Sequence, residues 1–97
     1  MKVSIPHKFS QIEAITRVKK VLNESRSKLA AHLTDVEEKW DGSVLTFAFT
    51  AQKQHISGTL EVKDRVFELY AKLPLMMRLF EGKIEKMIQE QAGSMFG

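Results

Sequence analysis

The stretch that decides the fold is KWDGSVLTFAFT, residues 39–50, in which a tight turn joins two segments of alternating polarity. Asp41-Gly42 is a dipeptide that type I′ hairpin turns prefer, because both central positions of that turn need a positive φ. Before the turn, every second residue from Val36 to Trp40 points to one face of a strand. The residues that share one face of the next strand are Leu45, Phe47 and Phe49. This pattern predicts an antiparallel hairpin.

The same alternation continues along the chain for two further strands, with Gly58 on the inward face of the first. A glycine there leaves room for a neighbour to approach closely. The other inward residues of the two strands are Ile56, Leu60, Val62, Phe67, Leu69, Ala71 and Leu73. Near the N-terminus, Val3 and Ile5 alternate before Pro6, which cannot donate to a ladder, so this segment can form only an edge strand. We therefore predict a four-stranded antiparallel meander, open to a fifth edge strand, with one apolar face.

Amphipathic helices precede and follow the meander. Ser10 and Glu13 have the spacing of a capping box, which starts the first helix. Pro74 stops the last strand, and a helical period then resumes and ends near Gly93. Its apolar stripe comprises Met77, Phe80, Ile84, Met87 and Ile88. The predicted fold class is α+β, a two-layer single domain over residues 1–97 with both helices on one sheet face.

Two leucines do not fit the stripe of the last helix. At 100° per residue, Leu75 and Leu79 fall outside the arc of the stripe. In one interpretation the first turn of the helix is surrounded by protein and both leucines belong to the core. In the other, they form an exposed patch with Met76 and Arg78 that meets a partner. The sequence leaves both interpretations open.

Composition places few demands on the environment of the protein. The chain has 97 residues, no Cys and a net charge of +3, which fits a reducing compartment such as the cytoplasm. The N-terminus lacks the apolar run of a signal peptide, and no window approaches the roughly eighteen apolar residues that a membrane span requires. The last helix balances its Lys and Arg with Glu, which disfavours binding to anionic lipid through this helix alone.

No pattern in the sequence predicts a reaction. His7, His32 and His55 lack the helical spacing of metal ligands, and no nucleophile elbow or phosphate-binding loop occurs. We expect no catalytic residue, no metal and no cofactor. The cations Lys19 and Lys20 scatter around the first helix together with Arg26, so a solvated helix face is favoured over nucleic-acid binding.

Four segments together resemble one family of small bacterial proteins. They are IPHKFSQIEAITRVKKV, KWDGSVLTFAFT, ISGTLEVKDRVFELYAKLP and LMMRLFEGKIEKMI, and they cover roughly His7 to Gln91. The most specific pieces are W-x-G-x-x-L-x-F at 40–47, I-S-G at 56–58 and F-x-G-x-I-E at 80–85. The chain thus resembles the polyhydroxyalkanoic acid system protein family. That resemblance implies a link to polyhydroxyalkanoate storage granules and implies no enzymatic activity or ligand site.

Three functional hypotheses follow. The first is a non-enzymatic cytoplasmic accessory protein, associated with storage granules, which contacts a protein partner or the granule surface through Leu75, Met76, Arg78 and Leu79. The second is a small carrier of an apolar ligand or lipid. Its pocket would lie between the sheet and the last helix, near Trp40, Phe49, Gly58 and Phe80. The third is a homodimer formed through an edge strand or through the Leu75 and Leu79 patch.

Overall fold

One antiparallel sheet with three helical segments accounts for residues 1–96, which the computed structural model describes. The strands are β1 (Lys2–Pro6), β2 (Leu33–Asp41), β3 (Val44–Ala51), β4 (Gln54–Lys63) and β5 (Val66–Lys72). The helices are α1 (Gln11–His32), α2 (Leu75–Arg78) and α3 (Glu81–Phe96). The strands lie in the order β1-β5-β4-β3-β2. The predicted meander is therefore confirmed, and the N-terminal segment adds the fifth strand at the edge beside β5.

The strand register places the predicted apolar residues on one face of the sheet. A single row of paired residues runs across all five strands through Val3, Leu69, Leu60, Leu45 and Trp40. Because side chains alternate along each strand, the other predicted inward residues of β3, β4 and β5 lie on the same face as this row. That face carries the core.

Both long helices pack on this apolar face, as predicted. Ala14 and Val18 of α1 are buried in the same cluster as Phe67 of β5, and α3 contributes Ile88, Ala92 and Phe96 to its border. The rings of Phe67 and Phe96 meet edge to face at 5.1 Å between centroids. Ser10 caps α1 by accepting a hydrogen bond from the Glu13 backbone N–H at 3.3 Å. The capping prediction is confirmed at its Ser10 half, whereas the Glu13 carboxylate pairs with Arg17.

The turn between β2 and β3 differs in one detail from the prediction. Asp41 pairs with Val44, so the two loop residues are Gly42 and Ser43. Of these two, Gly42 alone has a positive φ, at 59°. This is the pattern of a type II′ turn, which has Gly at its first central position and also matches the twist of the flanking strands.

Strand β2 contains an irregularity that the alternating pattern did not reveal. The register shifts between Thr34 and Glu37, so Asp35 and Val36 together oppose Phe49, as in a β-bulge. Asp35 has a φ of 52°, a conformation that Asp tolerates better than most residues. Val36, which the alternation placed on the face of Trp40, lies in this irregularity and is 52% exposed.

The last helix is broken in two, and this break corrects the predicted core stripe. The Pro74 carbonyl accepts hydrogen bonds from the backbone N–H groups of Met77 and Arg78, which closes the single turn of α2. Phe80 then donates its N–H to the Met77 carbonyl, and α3 starts afresh with the Ile84 N–H on the Phe80 carbonyl. Counting 3.6 residues per turn from Met77 cannot be carried across this interruption.

Two residues of the predicted stripe consequently lie outside the core. Phe80 is 59% exposed and Met87 is 54% exposed. The side of α3 that packs on the sheet holds every fourth residue after the break, namely Ile84, Ile88, Ala92 and Phe96. The helix also continues past Gly93 to Phe96.

Candidate functional site

The α2 turn is positioned by the residues on either side of it. Leu73, at the end of β5, is buried in a small cluster with Ile56 and Ala71. Pro74 has a φ of −57° and leads the chain directly into the turn. Within α2, Met77 is the residue that packs back against this cluster. The remaining apolar side chains of the turn must therefore point away from the sheet.

These outward side chains form a continuous exposed apolar surface. The exposed fractions are 78% for Leu75, 72% for Met76, 84% for Leu79 and 59% for Phe80. We call these four residues the α2 surface. Single exposed apolar residues are common on folded proteins, but several on one turn are typical of an interaction site. Leu75 and Leu79 are therefore exposed and do not belong to the core.

Beside the α2 surface lies an open groove of about 700 Å³. It lies beside the start of β1, the middle of β4, the end of β5 and the start of α3. The residues that line it include Met1, Lys2, Gly58, Tyr70, Lys72, Arg78 and Glu81. Arg78, the polar member of the predicted partner surface, thus connects the α2 surface to a groove with several cations. A second groove of about 330 Å³ lies next to Pro74.

The residues of the predicted apolar pocket do not come together at either groove. Gly58 lines the larger groove, but Trp40, Phe49 and Phe80 line neither. Trp40 packs against the main cluster, with the Lys19 ammonium 5.1 Å from its ring centroid. Phe49 packs against the smaller cluster and stacks on Phe47 at 6.2 Å. Phe80 belongs to the α2 surface, because the break before α3 turns it outward.

Comparison with known proteins identifies the family of the chain. A family model described as "Putative polyhydroxyalkanoic acid system protein (PHA_gran_rgn)" matches residues 1–96. The chain belongs to this family. Searches of curated proteins and of solved structures find no significant match. Membership in the polyhydroxyalkanoic acid system family agrees with the resemblance that the sequence motifs carry.

His7 has a structural role that the sequence did not indicate. Its side chain is buried, and its Nδ1 accepts a hydrogen bond from the Phe9 backbone N–H at 3.1 Å. Its Nε2 lies 3.0 Å from the Lys63 carbonyl oxygen. Because a carbonyl can only accept, Nε2 carries the proton and the ring is the neutral tautomer. The ring also contacts Phe67, with 4.3 Å between centroids, so His7 joins β1 to the β4–β5 turn.

Among residues 1–96, no group of three or more His, Cys, Asp or Glu side chains could hold a metal ion. The same residues include no helix that is both long and apolar enough to cross a membrane. We base the functional proposal on the α2 surface and the adjoining groove.

Proposed function

We propose that this member of the polyhydroxyalkanoic acid system family is a non-enzymatic accessory protein that contacts storage granules through the α2 surface. The observation that carries the proposal is the exposure of Leu75, Met76 and Leu79 on one turn. Family membership supplies the link to polyhydroxyalkanoate storage. In this proposal the protein is cytoplasmic and becomes granule-associated by touching the polymer surface or a protein bound to it.

The energetics suit a reversible contact. Burying Leu75 and Leu79 contributes about 3 to 6 kcal/mol at the usual transfer values. Association costs at least several kcal/mol in lost translational and rotational freedom, so the two leucines alone support a weak contact. Met76 adds a flexible side chain that adapts to an irregular surface. The protein would thus leave a granule readily when polymer is consumed.

The carrier hypothesis gains no support from the positions of its residues. The larger groove exceeds the roughly 300 Å³ typical of small ligand sites, but it is open to solvent. Ligand pockets instead bury most of the surface of their ligand. Three of the four residues expected to line an apolar pocket lie outside both grooves. We therefore retain the accessory role as the proposed function.

The proposal is tested by locating the full chain in cells with and without accumulated polymer. We expect the wild-type protein in the isolated granule fraction and, without polymer, in the supernatant. The variant Leu75→Ser/Leu79→Ser should be lost from granules. Ile12→Ser is a matched control, because Ile12 is 79% exposed and lies at the start of α1, away from α2. Granule binding by the double variant equal to that of wild type would overturn the proposal.

The same experiment distinguishes the two kinds of contact. Protein-free polymer particles replace the native granules in a second arm. Retention of the wild-type chain on bare particles assigns the contact to the polymer surface. Retention on native granules alone assigns it to another granule component, such as a granule-bound protein.

A further inference from the structure

The charges around the α2 surface are not balanced, although the sequence of the last helix balances them. On a helix with 3.6 residues per turn, Glu81 and Glu85 fall on the flank of α3 that also holds Ala92 and packs on the sheet. Lys83 falls on the opposite flank, next to Met87 and on the side of the exposed Phe80. The first two acidic residues of α3 thus lie on the flank that packs on the sheet, and the first cation lies on the exposed flank.

Glu81 is also engaged by another group. Its carboxylate lies 3.0 Å from the Met1 ammonium, which in turn donates a hydrogen bond to the Ala71 carbonyl at 2.9 Å. No acidic residue occurs in the segment 69–80. Glu81, the carboxylate that lines the groove beside α2, therefore already has a cationic partner.

Three cations also line this groove, and among residues 1–96 none of them forms an ion pair with a carboxylate. Within residues 1–96, Lys72 and Arg78 make no ion pair, and the Lys2 ammonium lies 5.5 Å from the centroid of the Tyr70 ring. All three line the groove of about 700 Å³ beside α2. Cations without a carboxylate partner, beside a turn with exposed apolar side chains, are complementary to a surface that is anionic outside and apolar beneath.

We propose that this face docks on an anionic lipid surface. Leu75, Met76 and Leu79 enter the acyl region, and Lys2, Lys72 and Arg78 contact the phosphate groups at its border. The inference rests on the proposed function in that it uses the same apolar surface. It goes further by naming the chemistry of the interface and the cations that select it.

The size and shape of the surface favour lipid over a folded protein partner. A standard protein interface uses about 20 to 30 residues on each side, whereas the apolar part here is four residues around one turn. Side chains that are 72% to 84% exposed protrude from the molecule. Interfacial binding needs a few inserted apolar side chains together with electrostatic attraction, and the α2 face provides both.

The test uses the full chain and two kinds of vesicle, one of phosphatidylcholine alone and one containing phosphatidylglycerol. We expect binding to the anionic vesicles that weakens as salt is raised. Lys72→Gln/Arg78→Gln should lower the vesicle partition coefficient about fivefold for each cation removed, equivalent to ~1 kcal/mol each. Lys20→Gln/Lys39→Gln is the matched control, since it removes the same charge on α1 and β2 and should leave the partition coefficient unchanged.

Each outcome decides the inference. The inference is overturned if the protein binds both kinds of vesicle equally or binds neither. It is also overturned if the control variant loses as much of the partition coefficient as Lys72→Gln/Arg78→Gln. Retention on granules in cells without binding to anionic vesicles removes the lipid inference and leaves the proposed function, with an acidic protein or the polymer as the partner. Binding to anionic vesicles without retention on granules removes the proposed function and leaves the lipid inference.

Discussion

Gly58 shows how a single residue shapes the face of the sheet that carries the core. It lies on β4, paired with Phe47 of β3 and Ala71 of β5. A β-carbon at this position would lie 3.0 Å from the Phe47 Cζ and 2.9 Å from the Ala71 Cα. The Tyr70 backbone carbonyl oxygen would lie closer still, so the missing side chain makes space mainly for the backbone of β5 and also for the Phe47 ring. The sequence indicated a close approach at Gly58, and the structure shows that the β5 backbone makes it.

Gly58→Ala should lower the free energy of unfolding by about 3 kcal/mol or more, because the Tyr70 carbonyl is backbone and cannot move aside without displacing β5. Gly82→Ala is the control, because a β-carbon there meets nothing within 4 Å. Alanine is also the better helix former by about 1 kcal/mol, so Gly82→Ala should leave stability equal or higher. Urea unfolding of both variants measures the difference. A Gly58→Ala protein as stable as wild type would show that the backbone of β5 and the Phe47 ring move aside without cost.

At the scale of elements, the break between α2 and α3 determines which side chains are available for contact. A continuous helix from Leu75 would have kept Phe80 in the stripe of Met77 and Ile84. The Pro74 and Met77 carbonyls instead close two separate turns, and α3 starts on the Phe80 carbonyl. The break releases Phe80 to the surface while Ile84 and Ile88 keep α3 on the sheet. The α2 surface exists because of this interruption.

Two phenylalanines test the corrected position of the last helix. Phe67 is 2% exposed, so Phe67→Ala should lower the free energy of unfolding by about 3 to 5 kcal/mol. Phe80 is 59% exposed, so Phe80→Ala should change it by less than about 1 kcal/mol. Denaturant unfolding of the two variants under the same conditions provides the comparison. A loss of stability in Phe80→Ala as large as that in Phe67→Ala would indicate that the helix is unbroken and that Phe80 is buried.

Most of the sheet could be predicted from the sequence because its strands and turns are indicated by residues close together in the chain. Period-two alternation and turn residues fixed the strands of the meander, and the row from Trp40 to Leu69 follows from it. The break at Leu79 and Phe80 could not be predicted, since neither Gly nor Pro occurs there to signal it. The role of His7 was equally hidden, because its partner Lys63 is 56 residues away in sequence. The groove likewise joins Lys2, Lys72 and Arg78, which pattern reasoning cannot place together.

In the whole molecule the α2 surface lies at one end of the sheet, and both edge strands have features that oppose pairing with another strand. The α2 surface follows the end of β5, whereas the start of α1 is tied to the start of β5 by the Gln11 N–H on the Asp64 carboxylate. Edge strand β2 carries a bulge and the charges of Glu37 and Glu38, which oppose pairing with another strand. Edge strand β1 is short and ends at Pro6, which has the same effect. Self-association through strand edges is thus disfavoured relative to contact through α2.

The most direct measurement of this account is oxidative footprinting of the methionines, with the protein free and bound to isolated granules. Met76 is 72% exposed within the α2 surface, and Met95 is 55% exposed near the far end of α3, roughly 20 Å from the start of that helix. In free protein both should oxidise to the sulfoxide. On granules we expect Met76 to be protected and Met95 to oxidise as before. Protection of Met95 with unchanged oxidation of Met76 would contradict the assignment of the α2 surface as the site of contact.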